Sequence, residues 1–73
     1  MRYMIRMLEL GSDTVKERIE GILGDADLKF INIWIALKEG KCSGFGFIEA
    51  HNEGDIDLIM NALASNGISC EKY

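Results

Sequence analysis

Two phenylalanines stand two positions apart between glycines in "SGFGFIEA", residues 43–50. In an extended chain, side chains alternate between faces, so Phe45 and Phe47 share one face and Ile48 and Ala50 share the other. A strand that only closes a core needs one apolar face. Ile48 and Ala50 can serve that core, which leaves the phenylalanine pair to be explained by something outside it.

Groups suited to catalysis are sparse elsewhere. Cys42 and Cys70 make neither a disulfide framework nor a metal knuckle, and read as small strand residues with reduced thiols. His51 stands alone at the start of a loop and reads as a surface residue. Met1, Met4, Met7 and Met60 have no Cys or His at ligand spacing and read as core or sheet filler. Gly44-x-Gly46 is not a dinucleotide loop: Glu49 stands where the third glycine belongs, and the pair lies inside a strand. No serine elbow or Cys/His pair appears. The expectation is a binding protein, not an enzyme, with no catalytic residue, no metal and no cofactor.

The elements that position these residues follow from periodicity. Residues 2–10 alternate, with Tyr3, Ile5 and Met7 on one face and Arg2, Met4, Arg6 and Leu8 on the other, which predicts strand one. Thr14-Val15-Lys16-Glu17 has the form of a capping box, and Val15, Ile19, Ile22 and Leu23 give helix one a buried stripe ending at Gly24-Asp25. Residues 28–37 predict strand two, with Ile31, Ile33, Ile35 and Leu37 inward and Phe30, Asn32, Trp34 and Ala36 outward. Lys38-Glu39-Gly40-Lys41 is a hairpin turn and 42–50 is strand three. Asn52 caps helix two, which buries Ile56, Ile59, Met60 and Leu63 and stops at Asn66-Gly67. Residues 68–73 form strand four, with Ile68 and Cys70 inward.

The order β-α-β-β-α-β predicts an α+β, ferredoxin-like sandwich: a four-stranded antiparallel sheet with both helices on one face. The other face is then open. It carries Arg2, Met4, Arg6, Leu8, Phe30, Asn32, Trp34, Ala36, Phe45, Phe47, Glu49, Ser69, Glu71 and Tyr73.

With 73 residues the chain is expected to form one domain over 1–73. Its 48% apolar and 27% charged content is that of a globular protein rather than a disordered one. Arg2, Arg6 and Glu9 interrupt any secretory apolar core at the N-terminus. The longest apolar run, Phe30 to Leu37, contains Asn32 and is too short to span a bilayer. The reading is a cytoplasmic protein with no membrane partner.

Ser43 to Ala50 resembles the first ribonucleoprotein motif of RNA-recognition-motif (RRM) domains: a basic residue, Gly, aromatic, Gly or Ala, aromatic, aliphatic, any residue, aromatic. Ser43 replaces the basic residue and Ala50 the final aromatic. The helix stripes fall at the family's usual spacing, so the similarity covers nearly the whole chain. The second motif of the family corresponds to Ile5–Leu10, where Arg6 replaces the exposed aromatic and Glu9 the usual Asn.

The resemblance implies single-stranded RNA binding on the open sheet face. Rings standing off a sheet stack bases at roughly 1–3 kcal/mol each. Phe45 and Phe47 would stack, Trp34 or the Arg6 guanidinium would stand in for the missing ring, and Arg2, Lys38 and Lys41 would lie near phosphates.

Charge bears on this reading. Eight basic and twelve acidic residues give −4, whereas phosphate contacts normally dominate nucleic-acid affinity. The acidic residues Asp13, Glu17, Glu20, Asp25, Asp27, Glu53, Asp55 and Asp57 fall on the helices or their loops, while Arg2, Arg6, Lys38 and Lys41 fall on the sheet face or its hairpin. Glu49 and Glu71 also face that way, and a cross-strand Arg6–Glu49 pair is expected.

The alternative is a protein-interaction module whose exposed rings form a homodimer or dock on a larger assembly, without binding nucleic acid. Residues 2–63 bear a looser similarity to the small domain of NusG-type transcription elongation factors, which implies docking of the same kind.

Overall fold

A computed structural model describes residues 2–73. The alternating segments form strands β1 (Tyr3–Leu8), β2 (Asn32–Lys38), β3 (Lys41–Ala50) and β4 (Ser69–Lys72); the segments of helical period form α1 (Lys16–Asp25) and α2 (Glu53–Ser65). All strand pairs are antiparallel and the sheet order is β2-β3-β1-β4. This is the ferredoxin-like α+β arrangement.

Register explains how one face became the core. Ile33 lies opposite Ile48, which lies opposite Ile5, so a row of isoleucines crosses three strands. Ile19 and Leu23 of α1, Ile56, Ile59 and Leu63 of α2, and Met7, Leu10, Cys42, Ala50 and Ile68 join the cluster. Burying a side chain of this size contributes roughly 1.5–3 kcal/mol. The next row along the strands, Trp34–Phe47–Arg6–Glu71, stands on the opposite face.

The helix ends are defined by backbone chemistry. Asn52 accepts from Asp55 N–H at 3.0 Å, capping α2 as expected. Both C-termini close by the same pair of hydrogen bonds. In α1, Asp27 N–H donates to Gly24 O and Leu28 N–H to Leu23 O; in α2, Gly67 donates to Ala64 O and Ile68 to Leu63 O. This Schellman closure needs a left-handed residue. Gly67 (φ 76°) fills that position in α2, whereas Asp27 (φ 55°) fills it in α1.

Several expectations fail, each for a local reason. The capping box does not form: Val15, in extended conformation, is the N-cap and provides no side-chain bond, while Thr14 is buried. Val15 therefore precedes the helix and is exposed instead of joining its buried stripe. β2 begins at Asn32, because the Asn32 side chain accepts the Ile33 N–H and sets the strand entry. Upstream of that point the alternation does not hold: Phe30 packs against the core rather than standing on the open face, and Ile31 is exposed. Leu37 is also exposed: it lies opposite buried Cys42 beyond the slip in the β2–β3 ladder, but it lines an open groove beside the start of α1 instead of being covered by it. Arg2 precedes β1 rather than lying within it, and the strand stops at Leu8, where Glu9 adopts φ 53°. Met1 lies outside the described residues.

Candidate functional site

The uncovered face of the sheet gathers the aromatic side chains. Phe45 and Phe47 meet edge to face with ring centroids 6.0 Å apart. Tyr73, whose N–H donates to Met4 O, sets its ring edge to face on Phe47 at 5.0 Å. Trp34 pairs with Phe47 across the β2–β3 ladder and is 41% exposed. Three rings are thus in edge contact, with a fourth alongside on the neighbouring strand. Edge-to-face packing leaves ring faces available for an incoming π-system.

Arg6 joins this cluster from β1. It lies opposite Phe47, and its guanidinium carbon sits 5.6 Å from the centre of the Phe45 ring, within cation–π range. Its Nη1 approaches the Glu71 carboxylate at 3.8 Å, and its Nε–H is buried without a hydrogen-bond acceptor. The expected Arg6–Glu49 pair is absent because the register places Glu49 opposite Met4 and Asn32. Glu49 makes no ion pair among the described residues and stands half-buried two residues beyond Phe47 on the same face.

The backbone beneath the rings is unusually thin at Gly46. A β-carbon there would sit 2.5 Å from the Trp34 carbonyl oxygen and 3.0 Å from Met7 Cε. Gly44 serves a different end. It has open space around it but holds φ 111° where the ladder slips. Its carbonyl accepts the Leu10 N–H, and the Ser43 hydroxyl donates to Ala36 O across the slip.

The remaining predicted site residues separate into two groups. Lys38 and Lys41 face each other at the hairpin end, both exposed. Arg2 is exposed just before β1, away from that hairpin. The structure therefore brings together Phe45, Phe47, Trp34 and Arg6, with the lysines at one margin. Tyr73 was not among the predicted site residues. Its parity with Glu71 placed it on the open face, and its contact with Phe47 makes it a member of the cluster.

The opposite side of the hairpin holds a groove of about 590 Å³ between the start of α1 and β2–β3, lined by Val15, Leu37, Ile35, Cys42 and Lys41 among others. It exists because α1 starts too late to cover Leu37. Both cysteines are free, and burial pushes the Cys70 thiol up, which keeps it in the weakly nucleophilic protonated form. No group of three His, Cys, Asp or Glu among the described residues is placed to hold a metal ion. No helix among them is long and apolar enough to cross a membrane. No family model matches the sequence, and the curated proteins contain no significant match to it.

Proposed function

We propose that the open sheet face binds single-stranded RNA, with Phe45 and Phe47 as stacking platforms, Trp34, Tyr73 and Arg6 beside them, and Lys38 and Lys41 near the phosphates. The observation that carries this reading is the row Trp34–Phe47–Arg6 across three adjacent strands, with no helix over it. A base laid on such a row meets π-faces and a delocalised cation, and both tolerate any base. The domain acts in this reading as an RRM-like binding module rather than an enzyme. Its free cysteines suit the reducing cytoplasm.

The test is a titration with mixed-sequence single-stranded RNA. Replacing Phe45 and Phe47 together by Ala removes two stacking rings at roughly 1–3 kcal/mol each, so affinity falls from about thirtyfold to roughly ten-thousandfold. Replacing both with Tyr preserves the π-faces and is tolerated. RNA affinity equal to the parent in the Ala pair would overturn the proposal.

A second reading draws on the carboxylate of Glu71, which lies 3.8 Å from Arg6 and offsets part of the positive charge in the ring cluster. A neutral aromatic patch suits a protein partner, including a second copy of this chain. Sedimentation separates the two: self-association that the Ala pair disperses, with no RNA binding at low salt, favours the protein interface.

A further inference from the structure

We infer that the open face prefers guanine over the other bases at the position stacked on Phe47. The inference rests on the single-strand reading above and adds a base identity to it. Phe47 is bracketed by opposite charges: Arg6 lies directly across the ladder on β1, and Glu49 lies two residues along β3 on the same face. Neither charge is fully committed within the chain. Arg6 reaches Glu71 only at 3.8 Å, too long for a hydrogen bond, and its side chain is 39% exposed. Glu49 has no ion pair among the described residues; its cross-strand neighbours are Met4, which has no polar hydrogen, and Asn32, whose carbonyl is turned to the Ile33 N–H.

The edges of the bases decide which one fits a cation on one side and an anion on another. Guanine carries two acceptors, O6 and N7, on one edge, and two donors, N1–H and the N2 amino group, on the adjoining edge. Arginine bonds the first pair and a carboxylate bonds the second, each through two hydrogen bonds. Adenine alternates donor and acceptor on both edges. Uracil flanks its single N3–H with two carbonyl oxygens, which a carboxylate repels. Cytosine presents paired acceptors, N3 and O2, to an arginine but only one amino group to Glu49, so the carboxylate gains one hydrogen bond from it instead of two. Acidic residues on this face, which weaken general phosphate attraction, become selective elements toward a base with a two-donor edge.

The chain contains one tryptophan, and it is the cross-strand neighbour of Phe47, so its emission reports occupancy of this position directly. The experiment titrates the protein at low salt with the RNA pentamers UUGUU, UUAUU, UUCUU and UUUUU and follows Trp34 fluorescence. The expected result is that UUGUU binds tightest, by about 5- to 160-fold over UUUUU, the range of one well-formed bidentate contact. The Glu49→Gln protein, isosteric but uncharged, shows a G-over-U ratio several-fold smaller than the parent. Equal affinity for the four pentamers, a preference for UUUUU, or a G-over-U ratio unchanged in Glu49→Gln overturns the guanine assignment while leaving RNA binding standing. Failure of all four pentamers to bind overturns the single-strand reading and this assignment together.

Discussion

Gly46 occupies the thinnest point of the sheet and ties the ring cluster to the core. Its neighbours in sequence, Phe45 and Phe47, project outward, so its own missing side chain would point inward at the Trp34 carbonyl and Met7. Backbone cannot retreat as a flexible side chain can. Gly46→Ala should therefore lower stability by about 1–3 kcal/mol through overpacking, read as a drop of roughly 4–8 °C in Tm per kcal/mol by circular dichroism. An unchanged Tm would show that β2 shifts freely against β3. The parity of the neighbouring positions is tested the same way. Ile48→Asp places an unpaired charge in a fully buried site and should unfold the protein, whereas Trp34→Ser, at an exposed site, should leave it folded. Equal damage from the two changes would contradict the orientation of the whole Trp34–Phe47–Arg6 row.

At the scale of elements, the helix ends and the hairpin hold stability in reserve. α1 starts at Lys16 without a side-chain cap, although Val15 before it already has the extended backbone of an N-cap residue. Val15→Asp should add about 0.5–2 kcal/mol by giving the first-turn N–H groups an acceptor, and Asn52→Ala should remove a similar amount from α2. The hairpin turn puts Glu39 (φ 53°) and Gly40 (φ 81°) both in left-handed conformation, the geometry that favours Asn-Gly. Denaturant midpoints of Val15→Asp, Asn52→Ala and Glu39→Asn, moving up, down and up, would check these assignments; a Val15→Asp midpoint that stays put or falls would place the start of α1 elsewhere. The same elements show what a sequence can and cannot reveal. Element order was legible from periods of two and of about 3.6, and the Ile5–Ile33–Ile48 core and the outward Phe45 and Phe47 from side-chain alternation alone. Val15 and Ile31 were misplaced because apolar character does not record where an element begins, and a cap or an Asn32 side-chain bond decides that by one residue. Leu37 keeps the face predicted for it, opposite Cys42, but alternation does not record that α1 begins too late to cover it. The Arg6–Glu71 contact was missed because alternation gives faces but not register. Arg6 and Glu49 do lie on neighbouring strands, yet they are two positions out of line.

For the molecule as a whole, charge is segregated along β3. The hairpin end carries Lys38 and Lys41, the middle carries Arg6 beside Glu71, and the far end carries Glu49. The helices opposite carry half of the twelve acidic residues, so a net charge of −4 coexists with a basic margin on the open sheet face. A single strand crossing the face would set its phosphates toward the lysines and its bases toward the rings. With at most about four cations in reach, the slope of log affinity against log salt for single-stranded RNA should be no steeper than about −3, at roughly −0.7 per neutralised phosphate. A purely apolar protein contact would be nearly indifferent to salt. Ser43→Arg tests the argument at its most favourable point. Ser43 is exposed beside Phe45 at the ladder slip, and its hydroxyl donates to Ala36 O at the surface, so the change costs little structure. It places a fifth cation between the lysines and the rings, where the similar RRM motif carries one. RNA affinity should rise at low salt, and the salt slope should steepen by about 0.7, the value for one added phosphate contact. A tighter complex with an unchanged slope would mean that the arginine stacks on a base instead of meeting a phosphate. An unchanged affinity and an unchanged slope would mean that no strand passes Ser43, and the path of RNA across this face would have to be redrawn.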